Sequence, residues 1–486
     1  MQPNRPETGA FGTHFARIGV ELDRFLRFEQ PDAVTRMDEW RRSLGGAVPQ
    51  AGIGADGVIE ELATVVIPNG SRIAEPGFWG FITTGPTTMP TVAAAAASIA
   101  APQRYTITAF NYLEELSLEW LATACGLAPH MKGVYVSGGS VANLVALGAA
   151  RQWAFEQIGV DPSRDGVTGR PAAIYASAEV HHTIQRAAGV LGLGRAAVRA
   201  VPIDERQRMD PNALREMLAE GARQDVLPIA VVATAGTTNT GAIDPIQHVG
   251  EIAGEFGAWF HVDGAYGLLG VLDDRVAPAY AGLELADSAI VDPHKWLAAP
   301  VGVAAAYVRD RSILHRAFTQ EPAEYLEGSF VADHDVRSSF DSMGIPYGDF
   351  AVELSAPSRG VIVWAVFREL GLNGIRKRVV EDNDFARRLT ALARAHPRTE
   401  ALIEPQLSVA CIRYVGSSDG AALELDALNE RILRRLVRET RFLPSATVVN
   451  GRYAIRPCFI NARTTPDQIA GFLAELVAIG DDLAGP

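Results

Sequence analysis

The sequence predicts an α/β fold: a mostly parallel central sheet with helices on both faces, an N-terminal helical segment and a small C-terminal α+β part. Three observations carry that expectation. Short apolar, β-rich runs recur between helix-like segments from about Val134 to Val308, and strands that alternate with helices form a parallel sheet covered on both sides. The run Ala258-Trp259-Phe260-His261-Val262-Asp263 is a buried-strand pattern that ends on a carboxylate, at the sheet edge where open α/β folds bind ligands. Residues 134–144 read as a strand, the glycine turn Ser137-Gly138-Gly139, and a helix starting at Ser140.

Taken in order, the first 70 residues alternate charged and apolar positions at helical spacing and hold no catalytic cluster, which suggests helices that pack on a partner. The strand at 172–176 hands over to a helix through Ser177-Ala178-Glu179-Val180-His181-His182-Thr183. Further strands are expected at 229–234, 288–292 and 303–308, with 159–170 a surface loop. Beyond a lid-like stretch come helices at 357–370 and 374–395, a strand at 407–414, a helix at 422–439, paired strands at 445–449 and 453–458, and a last helix after Thr465-Pro466. The expected organisation is a helical segment at 1–85, a large domain at 86–350 with a mobile loop near 317–350, and a small domain at 351–486.

Composition narrows the class. A net charge of −13 argues against a nucleic-acid role. The alanine-rich run at 91–101 is too short to span a bilayer, which takes about 20 apolar residues, and no N-terminal segment has the pattern of a secretion signal. Cys125, Cys411 and Cys458 are few, scattered and odd in number, which fits a reducing cytoplasm.

The chemistry centres on Asp292-Pro293-His294-Lys295-Trp296. Lys295 is one of three lysines, and neither Lys132, at a strand start, nor Lys377, inside Arg376-Lys377-Arg378, has an apolar neighbourhood with titratable companions. Such a lysine suits imine formation with a carbonyl, because burial and neighbouring charge tune its amine. Pyridoxal phosphate (PLP) is the carbonyl cofactor that also needs an anion for its pyridine nitrogen, a phosphate cradle and a stacking group. Asp263 offers the first, the turn Ser137-Gly138-Gly139-Ser140 the second and His181 the third. The turn ends in neither a P-loop nor a dinucleotide fingerprint. A metal site at His181-His182 is the weaker reading, since adjacent helical side chains point about 100° apart.

In these motifs, and from Glu75-Pro76-Gly77-Phe78-Trp79 through Arg456, the chain resembles the group II PLP-dependent amino-acid decarboxylases, which include aromatic-amino-acid and glutamate decarboxylases. The resemblance implies fold type I, a homodimer with active sites at the subunit interface, and L-amino-acid decarboxylation through a Lys295 aldimine and a quinonoid. It implies that Asp263 pairs with the pyridinium, Ala265 packs under the ring and His181 stacks above it. Ser137, Gly138, Gly139, Ser140, His294 and Asp292 would contact the phosphate, with Asp292 standing where many relatives have Asn. Thr234 would lie near the phenolic oxygen, and Trp79, Phe81, Thr84 and Arg456 on the substrate side. Arg359 matches a family arginine, while Ile362 replaces a lysine that often follows it. In aromatic decarboxylases a loop tyrosine protonates the quinonoid; counting back from Ile345-Pro346 places Phe340 there. Either Tyr325, Tyr347 or a histidine supplies the proton, or the intermediate meets oxygen and yields an aldehyde. A carbon–carbon lyase remains a further alternative. Trp79, Phe81 and Phe340 favour an aromatic or bulky apolar substrate.

Overall fold

The computed structural model describes residues 11–104, 108–167, 169–319, 345, 347–416 and 422–485. Contacts divide the chain into two compact units, Met1–Phe78 and Trp79–Pro486.

The first unit holds α1 (Phe11–Phe25), α2 (Met37–Leu44) and α3 (Gly54–Glu61). Asp32 accepts from Val34 N at 2.8 Å, so its carboxylate caps the turn leading into α2. No described residue of these three helices is buried. Phe11, Phe15 and Leu22, on one face of α1, are 60%, 45% and 42% exposed, an apolar stripe that an amphipathic helix normally covers.

The second unit begins within β1 (Phe78–Trp79) and runs through α4 (Thr88–Ala100), α5 (Ala109–Ala124), β2 (Lys132–Val136), α6 (Gly139–Glu156), β3 (Ala172–Ser177), α7 (Thr183–Val190) and β4 (Val198–Val201). It continues with α8 (Pro211–Arg223), β5 (Leu227–Thr234), α9 (Ile246–Glu255), β6 (Trp259–Asp263), β7 (Ser288–Val291), β8 (Ala304–Val308) and α10 (Ser312–Phe318). After these come α11 (Gly360–Ala395), β9 (Thr399–Ala401), β10 (Ile412–Tyr414), α12 (Ala422–Glu439), β11 (Leu443–Val449), β12 (Arg452–Arg456) and α13 (Pro466–Ala484).

The main sheet has the order β2-β8-β7-β6-β5-β3-β4. Neighbours from β4 to β7 are parallel, and β8 runs antiparallel to both β7 and β2. Every residue of β6, β7 and β8 is buried. Successive side chains point to opposite faces, so both faces are covered. Because β2, β3, β5, β6 and β7 share one direction, their carboxyl ends open along a single edge, and those ends lead into Ser137, Ser177, Thr234, Asp263 and Asp292.

The second sheet has the order β1-β11-β12-β10-β9. Its hairpin turns at Asn450 and Gly451, both at positive φ (49° and 74°), the conformation that an Asn-Gly turn supplies between paired strands. Behind it Trp79, Phe442, Phe459 and Phe472 form an aromatic core, and Thr465 opens α13 with a capping box to Gln468. The two helices expected at 357–370 and 374–395 meet at Gly371, whose φ of 63° breaks the helical path of α11. Among the described residues, no helix is long and apolar enough to cross a membrane, and no group of His, Cys, Asp and Glu could hold a metal ion.

Candidate active site

A cleft of about 640 Å³ opens on the carboxyl edge of the main sheet. It brings together residues far apart in sequence: Ser137, Gly138, Gly139 and Ser140 from the turn before α6, His181, Thr234, Asp263 and Ala265, then Asp292, His294 and Lys295 beyond β7.

The turn before α6 needs its glycines for two different reasons. Gly138 sits at φ 153°, a backbone conformation that L side chains rarely adopt. At Gly139 the constraint is space, since a Cβ there would lie 2.6 Å from Asp292 Oδ2. The turn delivers the N-terminus of the 18-residue α6 into the cleft, where free backbone N–H groups and the helix dipole favour an anion.

Beyond β7, Asp292 N donates to Ala265 O at 3.1 Å and Lys295 N donates to Asp292 O at 2.9 Å. This turn brings Lys295 Nζ to 3.1 Å from Asp292 Oδ2. His294 donates Nδ1–H to Val303 O at 3.0 Å, which leaves its Nε2 3.8 Å from the same carboxylate oxygen.

Asp263 is buried and accepts at both oxygens, from Ala265 N at 3.1 Å and from Asn143 Nδ2 at 3.0 Å. Behind Asn143 runs a directed chain of hydrogen bonds. Trp259 Nε1 can only donate, and it gives its proton to Ser288 Oγ at 2.7 Å. Asn143 donates its NH2 to Asp263, so its Oδ1 accepts the proton of His261 Nε2 at 3.0 Å, and on the neutral ring Nδ1 then accepts from Ser288 Oγ at 2.8 Å. The same NH2 also donates to Thr183 Oγ1, at 3.1 Å. Thr183 in turn donates to His181 Nδ1 at 2.9 Å. Burial pushes the His261 imidazole down to about 4, consistent with the neutral ring that this chain requires. Burial also lowers His181, opposed by the Asp263 carboxylate.

Sequence reasoning missed Asn143 and His261, although signals for both were present. Asn143 lies one helical turn beyond Ser140, and His261 two residues before Asp263 on the same face of a strand.

Several expected substrate residues stand elsewhere. Trp79 is fully buried, stacks on Phe442 with ring centroids 5.2 Å apart, and donates Nε1–H to Thr464. It belongs to the core of the second sheet and not to the cleft, because its ring fills the space between β1, α13 and Phe459. Thr84 is likewise buried, donates to Gly85 O at 3.3 Å and does not line the cleft. Arg456 borders the cleft, but its guanidinium is spent on the carbonyls of Phe81, Thr238 and Asn239 and on Ser445 Oγ. Arg359 joins Gly302 O and Glu353, and so has a structural setting. Tyr347, offered as a proton donor, is buried with its hydroxyl donating to Glu115 at 2.6 Å, outside the cleft lining. Phe81 does line the cleft, 67% exposed and at φ 58°, a strained backbone held by Ser445 Oγ on its N–H and Arg456 on its carbonyl. Phe340 and Tyr325 lie outside the described residues.

These residues fit PLP. A lysine and a buried carboxylate share a cleft with a helix N-terminus, and the buried Thr234 hydroxyl has no hydrogen-bond partner among the described residues.

Comparison with known proteins agrees with the geometry. Residues 39–415 match the family model described as the pyridoxal-dependent decarboxylase conserved domain. An aromatic-L-amino-acid decarboxylase of Bacillus atrophaeus is 28% identical over 372 residues, covering 76% of this chain and 74% of the relative. The human cysteine sulfinic acid decarboxylase is 29% identical over 386 residues, covering 77% and 75%. The crystal structure of Oryza sativa TDC with PLP and tryptamine superposes with a TM-score of 0.88 at 24% identity, covering 99% of this chain and all of that one.

Proposed function

Because the chain belongs to the pyridoxal-dependent decarboxylase family, whose members are fold type I amino-acid carboxy-lyases using PLP, we propose that it decarboxylates an aromatic or bulky apolar L-amino acid to the amine and CO2. The observation that carries the substrate class is the cleft's charge. Among the described lining residues, the lysine and arginine side chains are Lys295 and Arg456, and Arg456 is engaged by backbone carbonyls. A second carboxylate or a sulfinate on the substrate would thus find no free lysine or arginine among these described residues, whereas Phe81, Ile82 and Val301 offer apolar surface.

Bound PLP supplies an electron sink for the pair released when the carboxylate leaves Cα. Lys295 would contribute the amine that holds the cofactor's aldehyde, and Asp263 the carboxylate that would hold a proton on the ring nitrogen. The chain behind Asn143 would keep that carboxylate oriented, since the amide presents its NH2 to Asp263 while its Oδ1 is held by His261. The α6 turn, with Ser137, Ser140 and His294, would hold the phosphate, and His181 with Ala265 would flank the ring. Thr183 leaves the His181 proton on Nε2. The way these residues orient the substrate would decide which of its bonds breaks.

A homodimer with interface active sites fits the uncovered apolar stripe of α1, and a reducing cytoplasm fits three buried free cysteines.

A second reading rests on Phe340, which cannot donate a proton to the substrate carbon after CO2 leaves. Oxygen could then accept the electrons, with amino acid, O2 and water giving aldehyde, CO2, ammonia and H2O2.

The substrate proposal is tested with a panel of L-amino acids on PLP-loaded enzyme. Aromatic acids should show the highest kcat/KM, and Phe81→Ala should raise their KM by roughly tenfold through lost apolar contact. A preference for glutamate or cysteine sulfinate would reject it.

A further inference from the structure

Asp292 is a carboxylate packed against the turn that would hold the proposed cofactor's own anion. Its side chain is 3% exposed and lines the same cleft as the α6 turn. It stands so close to that turn that a Cβ on Gly139 would meet Oδ2 at 2.6 Å and Oδ1 at 3.1 Å. Oδ2 faces Lys295 Nζ at 3.1 Å and His294 Nε2 at 3.8 Å. Oδ1 is buried and has no hydrogen-bond partner among the described residues.

A helix N-terminus with a glycine turn attracts a phosphate, but a buried carboxylate within a few ångströms repels it, and the repulsion is strong where water screens poorly. An asparagine of the same shape would offer an N–H2 donor and no charge. We propose that Asp292 sets the retention of the cofactor. Its carboxylate opposes the phosphate at the α6 turn, so this enzyme holds PLP less tightly than the rest of its cradle would allow and exchanges it readily with solution. The inference rests on the cofactor reading above.

The experiment compares PLP with pyridoxal, which has the same aldehyde and ring but no phosphate. Each is titrated into the cofactor-free full chain, and the absorbance that appears when the aldehyde condenses with Lys295 is followed. The ratio of the two dissociation constants isolates the phosphate's contribution. Any effect of Asp292 on the Lys295 amine is shared by both probes and cancels.

In Asp292→Asn the phosphate's advantage should increase about tenfold, equivalent to about 1.4 kcal/mol, with a correspondingly slower loss of PLP on dialysis. Asp292→Ala, which removes the charge without adding a donor, should shift the ratio in the same direction by a smaller factor. An unchanged or smaller ratio in both variants would overturn the proposal and assign Asp292 to holding His294 for the phosphate. If wild-type protein gave no condensation absorbance with either probe, the cofactor reading itself would fall, and this inference with it.

Discussion

His261 has no solvent exposure and stands in the middle of a chain with one donor direction, from Trp259 through Ser288 and Asn143 to Asp263. Protonating its Nδ1 reverses the bond from Ser288 and disrupts that order. Its folded value of about 4 lies below the ordinary 6.5, so the unfolded chain binds the proton more readily between those values. The stability contributed by neutral His261 is therefore complete above about pH 6.5 and lost as pH falls through about 4, by up to a few kcal/mol. Thermal unfolding between pH 7.5 and 4.5 should show that slope in the wild type and a shallower one in His261→Gln; equal slopes would contradict the account. Trp79 makes the opposite case. As a core residue, its replacement by alanine should cost about 3–5 kcal/mol of stability and leave the KM of the folded fraction nearly unchanged. A KM rise without a stability loss would return Trp79 to the substrate side. The sequence exposed Lys295 because it is one of only three lysines, and Asp263 because it closes a buried-strand pattern. It misplaced Trp79 because an aromatic residue close in sequence to Phe81 reads alike whether it points to a cleft or a core, and only the packing of Phe442, Phe459 and Phe472 distinguishes the two.

Among the elements, the catalytic geometry depends on five strands that end at one edge and on α6, which starts there. Those strands and their turns were legible from local pattern, including the break near Gly371 and the hairpin at Asn450-Gly451. The position of β8 between β2 and β7 was not, because strand order is set by pairing between distant segments. Helix packing has its own constraint at Gly360, the first residue of α11. A Cβ there would lie 2.4 Å from Glu114 Cα in α5, and backbone cannot yield as a side-chain tip does. Gly360→Ala should force the two helices apart and cost about 1–3 kcal/mol, read as a lower denaturant midpoint at unchanged slope. An unaltered midpoint would show that α5 and α11 adjust freely.

At the scale of the whole molecule, two sheets and their helices build one cleft, with Asp263 and Lys295 supplied from the edge of the main sheet and further lining by Phe81 and by Ser445 and Arg456 of the β11–β12 hairpin. Among the described residues, the first unit carries none of the cleft lining, and α1 shows an exposed apolar stripe. The central claim is decarboxylation through Lys295, and the most direct test is product stoichiometry. Purified, PLP-loaded enzyme is given aromatic L-amino acids while CO2, amine, aldehyde and peroxide are measured together, with Lys295→Ala alongside. The account predicts amine equal to CO2, no peroxide, and no turnover in the variant. CO2 release that persists in Lys295→Ala, or aldehyde and peroxide in place of amine, would contradict it.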